Sequence, residues 1–186
     1  MQVAGWKQLA PVYFYIALAV CLITLTRNEH FSWRQNVLLI SFGILSWTLI
    51  EYVLHRFIFH YSARSAFGKK LVYAAHLSHH AMPRTANHFF SSLLVSLPVA
   101  ITYLLSAWII TGSWRATTLL FAGLTAGYFC YEWLHFQAHH RRPRLRLFRY
   151  LRKYHLLHHY RTPELRFGVT SPLFDVLMGT FRQTKI

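Results

Sequence analysis

The sequence predicts an all-α integral membrane protein, with four transmembrane helices and a cytoplasmic helical cap holding a histidine-rich site for two metal ions. Three observations predict it. Of 186 residues, 54% are apolar and only 13% charged, against about 25% charged in an ordinary soluble domain. Apolar stretches recur at the length of a bilayer-crossing helix, roughly 17–25 residues. The chain also carries 13 histidines, most of them at repeated ligand spacings near the ends of two of those stretches.

The length fits one domain, residues 1–186. The apolar stretches cover residues 11–26, 36–59, 89–111 and 117–136. The first reaches spanning length when extended back to Trp6. Thr26-Arg-Asn-Glu-His30 follows it rather than an Ala-x-Ala-like cleavage site, so it reads as a span and not a signal peptide. Residues 27–35 and 112–116 are short connections, which pair the spans as two antiparallel hairpins. The long segments, 60–88 and everything after 136, then share a side with the N-terminus. Seventeen of the 20 Lys and Arg lie on that side, and only Arg27, Arg34 and Arg115 on the other. This positive-inside bias places the long segments in the cytoplasm.

A net charge of +15 and a pI near 10.4 would suit nucleic acid, but the apolar content argues for an anionic membrane face instead. Arg141, Arg142, Arg144 and Arg146, followed by Arg149, Arg152 and Lys153, are the expected contacts with lipid headgroups. Cys21 and Cys130 lie in apolar runs and suggest neither a disulfide framework nor a thiolate metal site.

Ten histidines form four sets: His55 with His60; His76, His79 and His80; His135 with His139; and His155, His158 and His159. On a helix, residues four apart share a face. His76 with His80, His135 with His139, and His155 with His159 can therefore each grip one metal, while His79 and His158 are offset and can reach a second. All four sets fall on the side that the charge count assigns to the cytoplasm. The two halves of the chain repeat a plan of two spans, span-end histidines and a His-x-x-His-His element. Imidazole suits iron and zinc, and a nearly all-nitrogen shell differs from the carboxylate-rich di-iron sites of soluble bundles. Glu51 and Glu132, one turn before their histidine pairs, are placed to accept from imidazole N–H groups, or to pair with a cation such as Arg56. Asp175 is placed to anchor a loop or to accept from a ligand histidine. His30, His88 and His140 lack partners at ligand spacing, and His140 is expected to face solvent.

This order of histidine sets resembles the fatty acid hydroxylase (sterol desaturase) superfamily, and within it the fatty acid 2-hydroxylases. Supporting segments are Glu51-Tyr-Val-Leu-His-Arg-Phe-Ile-Phe-His60, Gly127-Tyr-Phe-Cys-Tyr-Glu-Trp-Leu-His135 and Phe167-Gly-Val-Thr-Ser-Pro-Leu-Phe-Asp175. The resemblance covers roughly residues 40–182. It implies one metal held by His55, His60, His76, His80 and His158, and another by His79, His135, His139, His155 and His159. Iron is implied for activity, with zinc able to occupy such sites on isolation. The implied chemistry is O2-dependent insertion of a hydroxyl into a lipid acyl chain, with the 2-position a candidate. Tyr131 and Glu132 are candidate catalytic residues, and Tyr131, Trp133 and Phe136 candidate lining of an acyl channel. Where the 2-hydroxylases tend to carry Tyr-Asp, this chain has Tyr131-Glu132. Some relatives carry a fused electron-donor domain, so a separate donor protein is expected here. The short form suggests a bacterial inner membrane more than the endoplasmic reticulum.

Other readings fit less of the pattern. A related desaturase, sterol oxidase or carotenoid oxidase would share the histidines and differ in its substrate channel. A metal transporter should place ligands near the bilayer midplane, and a haem carrier needs paired axial histidines inside the spans, of which the first and third contain none. A non-catalytic, metal-stabilised membrane protein is the remaining alternative.

Overall fold

The computed structural model describes residues 6–28, 30–83, 85 and 93–183, and every regular element among them is helical. His88 lies outside the described residues. The elements are α1 (Trp6–Leu25), α2 (Trp33–Val53), a π-helical turn π1 (Leu54–Phe59), α3 (Ala66–Val72), a second π turn π2 (Tyr73–Leu77), α4 (Ser78–Ala81), α5 (Leu93–Thr111), α6 (Trp114–His140), α7 (Arg146–Tyr160) and α8 (Leu173–Leu177).

Local chemistry sets the boundaries. Ser32 and Gln35 form a reciprocal capping box at the start of α2. The Ser32 N–H donates to Gln35 Oε1 at 2.8 Å, and the Gln35 N–H donates to Ser32 Oγ at 3.3 Å. Gly112, at φ +61°, ends α5 in the left-handed conformation that glycine adopts without cost. Ser113 then starts α6 by accepting from the Ala116 N–H at 3.1 Å.

The chain divides into two compact units, one built from Ala4–Trp47 and Phe90–Phe129, the other chiefly from Thr48–Phe89 and Cys130–Ile186. In the first unit α6 supplies the interior face, with Ala116, Thr117, Thr118, Leu119, Phe121 and Leu124 buried. Tyr15 of α1 packs edge-on against Phe121 and Tyr128 and donates to Ser96 Oγ at 3.1 Å. Helices α2 and α6 meet backbone to backbone at Gly43 and Gly123. A Cβ on Gly43 would lie 2.1 Å from the Leu120 carbonyl oxygen, and one on Gly123 would lie 2.1 Å from that of Ile40. Small residues permitting such an approach are typical of helix contacts in bilayers, where packing rather than water expulsion drives association.

Two helices, Trp33–Phe59 and Leu93–Thr111, are long and apolar enough to cross a bilayer, and only 22% and 11% of their most apolar stretches is buried. Exposed side chains such as Leu25, Leu94 and Ile110 mark a membrane-type protein with apolar helices. Helix α1 adds a shorter apolar stretch, Ala10–Leu25. Helix α6, the fourth stretch of the sequence, is less apolar because it carries buried Thr117, Thr118, Thr125, Glu132, His135 and His139.

Candidate metal centre

The second unit contains all ten histidines singled out in the sequence. His55 lies within π1 and His60 just beyond it. Five residues are about 1.4 turns of an α-helix, which would turn His60 away from His55. The i→i+5 repeat of a π turn brings the two rings to 5.2 Å instead. A second π turn carries His76 and leads directly into α4, where His79 and His80 sit. His135 and His139 lie on the last turns of α6. Helix α7 is amphipathic, burying Leu151, Tyr154, His155 and His158 while Arg146, Arg149 and Lys153 stay exposed.

The structure gathers these side chains into two groups of five: His55, His60, His76, His80 and His158, and His79, His135, His139, His155 and His159. The division is the one the family resemblance implies. Within each group, one ring nitrogen per residue lies within 4.8 Å of all the others. Two nitrogens on opposite sides of one ion stand about 4.2 Å apart at a metal–nitrogen distance of about 2.1 Å, so each group needs only a small contraction to share an ion. Nε2 atoms approach at 3.0 Å between His76 and His80, 2.7 Å between His79 and His135, and 2.8 Å between His139 and His155.

The proton positions fit a cation as well. His55 Nδ1 donates to the Phe167 carbonyl at 2.5 Å and His158 Nδ1 to the Leu165 carbonyl at 2.8 Å. Each of these rings therefore turns an Nε2 lone pair inward. The Nε2 of His158 faces those of His60 and His80 at 3.1 and 3.2 Å. His55 Nε2 and both ring nitrogens of His159 are buried without a hydrogen-bond partner. Buried polar atoms are rarely left so, and converging lone pairs are what a metal ion satisfies.

Burial pushes the His60 imidazole down to about 4, and burial followed by the neighbouring His60 does the same to His80. Burial first, then adjacent imidazoles, holds His76, His155, His158 and His159 well below the ordinary histidine range. These six rings are therefore neutral at pH 7, the form that binds metal.

The carboxylates correct part of the sequence reading. Glu51, 3% exposed, neither accepts from a histidine nor pairs with Arg56 in any contact described. It takes the N–H groups of Val169 and Thr170 and the Thr170 hydroxyl, because the loop after α7 folds over this end of α2 and presents three donors. Arg56 donates to the Tyr52 hydroxyl at 2.5 Å. Asp175 anchors the same loop, accepting from the N–H groups of Phe167 and Gly168, each at 2.8 Å, and from the Thr180 hydroxyl at 2.7 Å. A Cβ on Gly168 would lie 2.0 Å from the Ser171 carbonyl oxygen and 3.0 Å from Asp175 Oδ2, so the turn requires glycine.

Glu132 is 2% exposed, and the buried Tyr131 ring lies 5.4 Å from His135. Trp133 packs on Phe148 and Phe136 stacks on His140, while Tyr131 lies against His135. His140 is half-buried by that stacking rather than solvent-facing. His30 is exposed and belongs to neither group. Sequence reasoning missed Phe59, whose ring stacks on His76 at 5.1 Å, and the Leu165 and Phe167 carbonyls. The unusual five-residue spacing of His55 and His60 was the available signal for the π turn.

Residues 40–180 match the model of the fatty acid hydroxylase family. The chain is 33% identical over 179 residues to a dihydroceramide fatty acyl 2-hydroxylase of Arabidopsis thaliana, covering 91% of this chain and 69% of that one. It is 37% identical over 145 residues to a ceramide very long chain fatty acid hydroxylase of Saccharomyces cerevisiae, covering 75% and 36%. To a fatty acid 2-hydroxylase of Rattus norvegicus it is 30% identical over 142 residues, covering 74% and 38%. The chain thus spans little more than a third of the length of the last two. The solved structure of full-length scs7p, in which only the hydroxylase domain is visible, superposes with a TM-score of 0.84 at 27% identity, over 94% of this chain and 70% of that one.

Proposed function

The chain belongs to the fatty acid hydroxylase family of oxidoreductases, and from that premise we propose that it is a dimetal, O2-dependent hydroxylase inserting a hydroxyl at the 2-position of a lipid acyl chain. The observation that carries this reading is the gathering of ten imidazoles into two buried groups of five. Relatives named as fatty acyl 2-hydroxylases support the position of attack. The reaction balances as one C–H bond, O2, two electrons and two protons giving C–OH and water.

In this reading His55, His60, His76, His80 and His158 hold one ion and His79, His135, His139, His155 and His159 the other, with iron the working metal. The bound metals supply O2 activation, and the chain supplies placement and exclusion of water. Tyr131, against His135, and the buried Glu132 beside it are the residues of this reading that act at the second group. The electrons come from a separate donor protein. In this reading helices α1, α2, α5 and α6 span the membrane with the metals on the cytoplasmic side, an orientation that the seventeen-to-three charge bias supports. A groove of about 520 Å³ along α7, edged by Arg142, Arg149, Arg152, Lys153 and Arg161, is suited to anionic headgroups.

The test is expression with iron and a reductase system, comparing lipids by mass spectrometry with a His158→Ala, His159→Ala variant, which removes one member of each group. The expected result is an O2-dependent gain of one oxygen per acyl chain, at carbon 2 by fragmentation, absent in the variant. Unchanged lipids despite stoichiometric iron would overturn the proposal.

A further inference from the structure

The loop between α7 and the C-terminal segment makes more contacts with the histidines than a connecting segment needs. The Leu165 and Phe167 carbonyls accept from His158 and His55, and the Phe167 ring lies 5.5–5.7 Å from the rings of His55, His60 and His158. Every described loop–histidine contact thus goes to the first group. The backbone reaches both carbonyls by passing through Arg166 at φ +64°, a left-handed conformation that a non-glycine residue holds only when its surroundings fix it.

What fixes it is the pair of carboxylates. Asp175 binds the N–H groups of Phe167 and Gly168, and Glu51 binds the next two along the chain, those of Val169 and Thr170. Four consecutive N–H groups are thereby held from one side while the Phe167 carbonyl points to His55. The Arg166 N–H closes the turn on the Thr180 carbonyl at 3.2 Å. A side-chain relay returns to the histidine-bearing helix. Arg56 donates to the Tyr52 hydroxyl, Tyr52 lies 3.0 Å from the Thr180 hydroxyl, and Thr180 donates to Asp175. Since the Thr180 proton is committed to Asp175, Tyr52 is the donor in the middle step.

We propose that Asp175 and Glu51 are positioning residues for the first metal: through the loop they hold the Leu165 and Phe167 carbonyls that fix His158 and His55 as Nδ1–H tautomers with Nε2 free to bind. This rests on the dimetal reading, and it adds a further layer behind the partners that ligand histidines usually have. Here a backbone carbonyl touches the histidine and the carboxylate holds the backbone. Loss of such outer support generally weakens metal binding about 10- to 100-fold.

The experiment uses the full chain in detergent micelles, loaded with Zn2+ and counted by elemental analysis. Asp175→Asn keeps the shape of the side chain but turns an N–H donor toward groups that are themselves donors. The expected ratio falls from two zinc ions per chain to one, with helical circular dichroism retained. In the metal-free variant, nitrogen-15 imidazole spectra should lose the Nδ1–H pattern of His55 and His158, a change that a merely loosened fold would not confine to two rings. Tyr52→Phe, which removes only the relay, should retain both ions and release one of them to a chelator several-fold faster. Two tightly held ions and unchanged tautomers in Asp175→Asn, or equal loss of both ions, would overturn the proposal. If Asp175→Asn fails to fold, unaltered zinc release from Tyr52→Phe overturns it. Wild-type protein that binds no zinc overturns the dimetal reading itself, so the two failures are told apart.

Discussion

Two helix ends in this chain meet the same requirement with different pitch. At the end of α6, His135 and His139 stand four residues apart, and an ordinary α-helix brings their rings to 5.3 Å. At the end of α2, His55 and His60 stand five apart, and the helix widens into a π turn that brings them to 5.2 Å. One extra residue has been absorbed by the backbone rather than by the geometry of the group. Pitch thus follows the placement of the histidines, consistent with the frequent occurrence of π turns at functional sites.

Removing the extra residue should have the largest effect. Deleting Ile58, which is 51% exposed, leaves His55 and His60 four apart, and the loop at residues 61–64 takes up the shift. With π1 reset to α pitch, the first group should lose its ion while the second keeps its own, so that zinc falls from two per chain to one by elemental analysis. A retained pair of ions would mean that the pitch is incidental.

A graded version uses acid. His60 and His80 of the first group are depressed to about 4, whereas unfolded histidine titrates near 6.5. Between those values the unfolded chain binds protons that the folded chain refuses, so the stability of the metal-free protein falls as pH drops below about 6.5; the share of His60 and His80 is complete near 4, and the more deeply depressed His76, His155, His158 and His159 carry the fall lower. Thermal melts across that window should show a falling Tm, and a flat profile would contradict the neutral, buried imidazoles described above. The smallest expected effect comes from the other helix end. Glu132→Gln should weaken metal binding at the second group about tenfold, or roughly 1.4 kcal/mol, measured by competition with a zinc chelator, while the first group is unaffected.

Much of this was legible in the residues. The i, i+4 spacings of His76 with His80, His135 with His139 and His155 with His159 act through one repeat, 3.6 residues per turn, so a helix rule reads them directly. The offset of His79 and His158 into the opposite groups follows from the same rule. The pairing of His55 with His60 does not, because a local rule assuming α pitch turns them apart. The role of Glu51 escapes the sequence for a different reason. Its place one turn before His55 says that it is near a ligand, but its partners, Val169 and Thr170, are more than a hundred residues away, and only tertiary structure supplies them. The Leu165 and Phe167 carbonyls left no trace at all, since every residue has one.

The chain order of the ten histidines also sets a schedule. His55, His60, His76 and His80 are made early, and the first group then lacks only His158, which is 78 residues beyond His80. At a synthesis rate of about 5–20 residues per second, roughly 4 to 16 seconds separate the two. Within that interval the second group has only His79 until the end of α6 adds His135 and His139. A newly made chain therefore offers a four-imidazole trap well before it offers a complete pair of sites.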